Sequence, residues 1–203
     1  MVPADSTEEA PEDVAEAAEA IEQGDLVVYP TETVYGLGAD ALDPEAIEAV
    51  FEAKDRDTED PVSLAVPDVD AALAFVSPRV RERRFMHAFL PGPVTVVLER
   101  RDPVPDVLTA GRDRVGVRIP DHEVALALLE RVAPITATSA NRSGEDSVHT
   151  PEDLAESVRE AAGVVIDDGE TPGTESTVVD VGEDEILREG AMAEEIEDWL
   201  EEH

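Results

Sequence analysis

The chain has 203 residues, of which 42% are hydrophobic and only 3% aromatic, and it has no cysteine; that suffices for one domain cored by Val, Leu, Ile and Ala, and it excludes disulfides and thiolate chemistry. A formal net charge of −35 opposes compactness in dilute salt and resembles that of halophilic proteins of salt-accumulating archaea, where a Debye length of ~3 Å at 1 M screens exposed charge, an ordinary acidic protein being the alternative. No run reaches ~18–20 apolar residues, and the first residues are acidic (Asp5, Glu8, Glu9) rather than basic and then apolar, so the expectation is no membrane span, no secretory signal and a cytoplasmic protein.

Residues 1–10 read as a disordered acidic N-terminus, and residues 1–203 as a single domain. The spacing of Val14, Ala17, Ala18 and Ile21 predicts a helix over 11–23, which Gly24 can end. A short buried strand, 26–29, stops at Pro30. Pro44 opens a second helix with Ile47, Val50 and Phe51 on one face. A strand over 62–66, helices over 68–76 and 78–89, and strands over 94–98 and 115–119 follow. Then come a helix over 121–132, a strand over 135–138 and a polar loop over 139–150. Thr150-Pro151-Glu152-Asp153 reads as a capped helix start. Strands over 164–166 and 177–181, a further one ending at Arg188, and a helix over 192–200 complete the chain. Mixed strands and helices predict a single α/β domain whose sheet, given several short connections, is not purely parallel.

Charge is uneven. From Lys54 to Arg142 there are 13 basic and 14 acidic residues, and beyond that segment the only basic residues are Arg159 and Arg188. Cations kept in so acidic a chain point to an anionic ligand, although Arg79, Arg81, Arg83 and Arg84 read better as partners of surface carboxylates.

Three polar constellations stand out. Pro30-Thr31-Glu32-Thr33-Val34-Tyr35-Gly36-Leu37-Gly38 follows a buried strand, where α/β sheets place ligands; taken alone it fits a tight turn as well as a ligand loop. Lys54 is the single lysine, beside 14 arginines. A compact ammonium differs from a planar guanidinium at close quarters with phosphate, so retaining one points to a site; helix C-terminal charge compensation is the alternative. The stretch from Thr136 to Gly144 (Thr-Ala-Thr-Ser-Ala-Asn-Arg-Ser-Gly) offers hydroxyls, an amide and backbone N–H groups that can cradle phosphate, or simply an Asx/Ser turn. Arg118, in an otherwise apolar strand, needs a partner or a ligand. The four histidines show no metal spacing, no metal-binding residues are expected, and no Walker A, GxGxxG, HExxH or GxSxG pattern occurs.

Together these segments resemble the YrdC-like family. The matching stretches are PTETVYGLG (30–38), the pair Lys54 and Arg56, PGPVTVVL (91–98), VGVRIP (115–120), TSANRSG (138–144), ESTVVD (175–180) and LREGA (187–191), in the family's order. Each is weak alone; seven in order are specific. The resemblance implies a YrdC-like twisted mixed sheet with helices on its faces and a large concave cleft. It implies threonylcarbamoyl-AMP synthesis from L-threonine, bicarbonate and ATP, with release of pyrophosphate, for tRNA modification. By motif match, Lys54 and Arg56 would hold the triphosphate. Ser139, Asn141, Ser147 and Arg188 would contact the nucleotide; Thr31, Thr33, Arg118 and Ser176 would contact threonine. Mg²⁺ would ride on the phosphates, and the product would pass to a tRNA-modifying complex of the KEOPS type. An RNA-binding protein without synthase activity is the alternative, with RNA in the same cationic cleft; a carbamoyl-transfer domain of a larger maturation enzyme is the third option. Longer relatives read Lys-Gly-Arg-Pro and carry a His soon after and a further C-terminal domain. Here the segment is Lys54-Asp55-Arg56-Asp57, with Ser63-Leu64-Ala65 and no His. That departure bears on one threonine contact and one nucleotide contact.

Overall fold

The computed structural model describes residues 12–203; the acidic N-terminus expected over 1–10 lies outside them. The helices are α1 (Glu12–Glu22), α2 (Pro44–Lys54), α3 (Val69–Ala72), α4 (Val80–Phe89), α5 (Asp106–Thr109), α6 (Glu123–Val132), α7 (Glu156–Ala161) and α8 (Ala193–Glu202). The strands are β1 (Leu26–Tyr29), β2 (Gly36–Gly38), β3 (Ser63–Ala65), β4 (Val94–Glu99), β5 (Arg114–Arg118), β6 (Ile135–Ser139), β7 (Ala162–Val165), β8 (Thr177–Asp180) and β9 (Glu185–Arg188). They form one sheet in the order β7-β1-β2-β6-β3-β5-β4-β8-β9. The pairs β1–β7, β3–β5 and β4–β8 are parallel and the other five are antiparallel. The mixed sheet expected from short connections is therefore present.

The two-residue period of the strands decides the layers. Val94, Val96 and Leu98 of β4, Val115 and Val117 of β5, and Leu64 of β3 turn to one face. There they pack against Phe85 and Met86 of α4, Ile47 and Phe51 of α2, and Ile196 of α8. Leu26, Val28 and Leu37 continue that face under Val50 of α2 and Val158 of α7. On the opposite face, α1 and α6 cover Val27, Ala65 and Ile135. The rest of that face has no helix over it and becomes the floor of a cavity.

Several elements depart from the sequence reading. The stretch 36–38 is a strand: the residues between Pro30 and Tyr35 are a hairpin loop, with Val28 opposite Leu37. The helix expected over 68–76 is only Val69–Ala72. Pro151–Asp153 is a single 3₁₀ turn, and the α-helix begins at Glu156. The surface arginines behave as expected where they pair: Arg81 meets Asp184 at 2.5 Å and Arg83 meets Asp70 at 3.5 Å. Arg81 also lies 5.6 Å above the Trp199 ring.

Candidate functional site

The uncovered part of the sheet floors a cavity of about 590 Å³. Its floor residues alternate with the core residues just described: Thr95 and Val97 on β4, Arg114, Gly116 and Arg118 on β5, Ser63 on β3, Ala137 and Ser139 on β6, and Val178 on β8. Small side chains hollow it. A Cβ added at Gly116 would fall 2.2 Å from Ser63 Oγ, so even alanine cannot enter there without a shift.

Five guanidinium groups face this cavity: Arg56, Arg112, Arg114, Arg118 and Arg188; Asp113 and Glu175 are the carboxylates among its lining residues. In a chain of net charge −35 this is a local reversal of sign, and it selects an anionic ligand. Burial holds Arg56 and Arg118 below the usual guanidinium value, and Arg188 lowers both further. The three cations therefore converge, although they come from the loop after α2, from β5 and from β9.

At one end, the hairpin loop is fixed by Thr31. Its Oγ1 accepts from the N–H of Thr33 and of Val34, both at 3.2 Å, and donates to the Val34 carbonyl at 2.6 Å. Thr31 and Thr33 hydroxyls lie 2.9 Å apart. Arg118 approaches from β5. Its Nη2 donates to Glu32 at 2.8 Å, while Nη1 donates to the carbonyls of Gly92 and Val94. Ser176 Oγ is 3.1 Å from Thr95 Oγ1 and accepts from Arg188 at 3.1 Å.

At the other end, the stretch 139–147 is built around Lys54. This lysine is 1% exposed, and its Nζ donates to the carbonyls of Ser139 and Asn141. Its own carbonyl accepts from the N–H of Ser143 at 2.9 Å. The Ser139 hydroxyl donates to Asn141 Oδ1, and Asn141 Nδ2 donates to the carbonyls of Arg142 and Glu145. Ser147 donates to Glu175, which pairs with Arg188 at 3.1 Å. Asp55, just after the helix, has φ 50 and ψ 45, the left-handed region that favours glycine. Asp55 takes up that conformation and pairs with Arg142 at 2.9 Å.

Of the residues singled out in the sequence, Thr31, Thr33, Arg56, Arg118, Ser139, Ser176 and Arg188 line the cavity. Lys54, Asn141 and Ser147 stand behind its wall. Lys54 is thus turned to backbone carbonyls rather than to open space. Sequence reasoning missed Arg112, Arg114, Gly116, Ser63, Thr95 and Glu175. The signal was available for two of them: Arg114, Gly116 and Arg118 share one strand face by alternation.

Burial first, and then Arg56, lower the Lys54 pKa from the ordinary 10.5 to about 8, against a smaller opposing effect of Glu175. Between those two values the unfolded chain holds a proton that the folded chain has released. Folding stability from this group therefore rises with pH across about 8 to 10.5 and is lost as pH falls through about 8. Denaturation of the protein and of Lys54→Met across that window should show the step in the former alone.

No cluster of three or more His, Asp or Glu able to hold a metal occurs among the described residues, and no described helix is long and apolar enough to cross a membrane. Residues 19–190 match the model of the Sua5_yciO_yrdC family, whose description reads "Telomere recombination". The threonylcarbamoyl-AMP synthase of Pyrococcus abyssi is 44% identical over 188 residues, 89% of this chain and 55% of that protein. The threonylcarbamoyl-AMP synthase of Bacillus subtilis is 36% identical over 188 residues, 90% of this chain and 54% of that protein. The chain thus spans about half the length of these two relatives. Among solved structures, P. abyssi Sua5 complexed with L-threonine superposes with a TM-score of 0.84 at 42% identity, over 92% of this chain and 56% of that one. E. coli YciO superposes with a TM-score of 0.80 at 26% identity, over 88% of this chain and 89% of that one.

Proposed function

The chain belongs to the Sua5/YciO/YrdC family, and from that premise we propose that it is an L-threonylcarbamoyladenylate synthase. The observation that carries this reading is the single cavity in which three guanidinium groups, the buried Arg118, the half-buried Arg56 and the more exposed Arg188, converge beside threonine and serine hydroxyls. That is a donor set for a nucleoside triphosphate and an amino acid together.

The reaction joins bicarbonate to the amine of L-threonine with loss of water. A carbamate oxygen then attacks the α-phosphorus of ATP, and the bond to pyrophosphate breaks. No protein nucleophile is needed; positioning and charge stabilisation carry the catalysis. Arg56 and Arg188 suit the phosphate chain, with Ser139 near the α-phosphate. Lys54, Asn141 and Ser147 hold the loop that presents Ser139. Arg118, Thr31, Thr33 and Ser176 suit the amino acid. The cavity has two carboxylates, Asp113 and the Arg188-paired Glu175, rather than a cage. This donor set fits Mg²⁺, which keeps waters and binds through substrate phosphates with one or two carboxylates. Bound there, Mg²⁺ would neutralise charge on the departing pyrophosphate. The product, a mixed anhydride, would pass to a tRNA-modifying complex of the KEOPS type in the cytoplasm.

The test is pyrophosphate release from ATP in molar salt with Mg²⁺, which should require L-threonine and bicarbonate together. Release without threonine, or none at all, overturns the reading. In the same assay Arg56→Ala should lower kcat/KM for ATP by roughly 10²-fold. Arg56→Lys should recover only part of that, because an ammonium does not reproduce the guanidinium fork.

A further inference from the structure

Strand β1 ends on Tyr29, which is 2% exposed and lines the cavity. Its ring lies against two glycines of β2. A Cβ added at Gly36 would fall 2.9 Å from Tyr29 Cζ and 3.2 Å from the phenolic oxygen, and one at Gly38 would fall 3.0 Å from Cε1. The spacing Gly-x-Gly in this strand is thus the slot for that ring. Filling the slot needs only a phenylalanine; the hydroxyl needs another explanation. Tyr35 donates its own hydroxyl to the Gly169 carbonyl at 2.7 Å, whereas the Tyr29 hydroxyl meets no partner among the described residues. It is not one of the buried side-chain atoms that lack a partner; it opens on the cavity that Tyr29 lines, where a ligand can meet it.

Burial pushes the Tyr29 phenol up; Arg118 lowers it and Glu32 raises it. It is therefore a permanent O–H donor within the electrostatic reach of Arg118. Of the five N–H groups of Arg118, one on Nη2 goes to Glu32 at 2.8 Å and the two on Nη1 go to backbone carbonyls, which leaves Nε–H and the second Nη2–H for a ligand. A carboxylate arriving at those N–H groups keeps further lone pairs to satisfy, and the phenol O–H lies on the same cavity.

We propose that Tyr29 is a substrate-binding residue whose O–H donates to the carboxylate of the amino acid held by Arg118. This rests on the synthase reading. The test is calorimetric titration of the protein and of Tyr29→Phe with L-threonine, with L-2-aminobutyrate, which lacks the side-chain hydroxyl, and with ATP. The variant keeps the ring, so its melting temperature should not change. Its Kd for both amino acids should rise by the same factor, roughly 10- to 100-fold for a hydrogen bond to a charged group, with the Kd for ATP unchanged. Unaltered threonine affinity in Tyr29→Phe overturns the proposal. So does a loss confined to threonine, which would assign the phenol to the side-chain hydroxyl. A protein that, before any substitution, binds no L-threonine overturns the synthase reading itself, and this assignment with it.

Discussion

Replacing Arg118 with methionine should destabilise the protein by about 3–5 kcal/mol, the usual cost of leaving one member of a buried ion pair alone. The pair is Arg118 with Glu32, whose side chains are 8% and 16% exposed. Without the guanidinium the Glu32 carboxylate loses its charge partner, and its Oε2 already has no hydrogen-bond partner in the fold. The carbonyls of Gly92 and Val94 would lose their Nη1 donor as well. The double variant Arg118→Met with Glu32→Gln removes both charges, and its stability should recover most of the loss. If Arg118 is the cation for the amino-acid carboxylate, as proposed above, threonine-dependent pyrophosphate release should not recover. Chemical denaturation read beside turnover separates the two effects. A double variant that regains activity would remove Arg118 from the substrate site.

Lys54→Met should lower kcat by roughly 10²- to 10³-fold, through misplacement of the loop rather than loss of a direct contact. The ammonium is the common donor to the carbonyls of Ser139 and Asn141. Removing it leaves two buried acceptors unsatisfied, at about 1–3 kcal/mol each. Ser139 Oγ, at the cavity wall, would then move with its backbone. Lys54→Arg should not rescue the loss, since a planar fork cannot replace a tetrahedral ammonium between two convergent carbonyls. The measurements are single-turnover pyrophosphate release and the denaturation midpoint. Turnover that survives in Lys54→Met would show that Ser139 does not depend on this anchor.

Much of the fold was legible because hydrophobic period and punctuation agree. Val94–Glu99 and Ile135–Ser139 alternate, and α2 runs from Pro44 to a left-handed residue at Asp55. Strand β2 was hidden because Gly-Leu-Gly has almost no strand propensity; it exists because β1, β6 and the Tyr29 ring hold it from both sides. The cavity was legible as motifs but not as a shape. Nothing local to Arg112 marks it apart from other arginines, and the face that Arg114 shares with Arg118 by alternation becomes the cavity floor only through the register of β5 against β4. The role of Lys54 was half legible. Its rarity marked it, but the two carbonyls that claim its ammonium lie 85 and 87 residues away.

The strand order carries a consequence for synthesis on the ribosome. The cavity floor takes residues from Tyr29 on β1 to Arg188 on β9, and β8 docks beside β4 rather than beside its neighbours in sequence. A nascent chain that has emerged only as far as β6 has neither Ser176 nor Arg188 and lacks the strand that flanks β4. The cavity therefore acquires its full lining only once β9 has emerged.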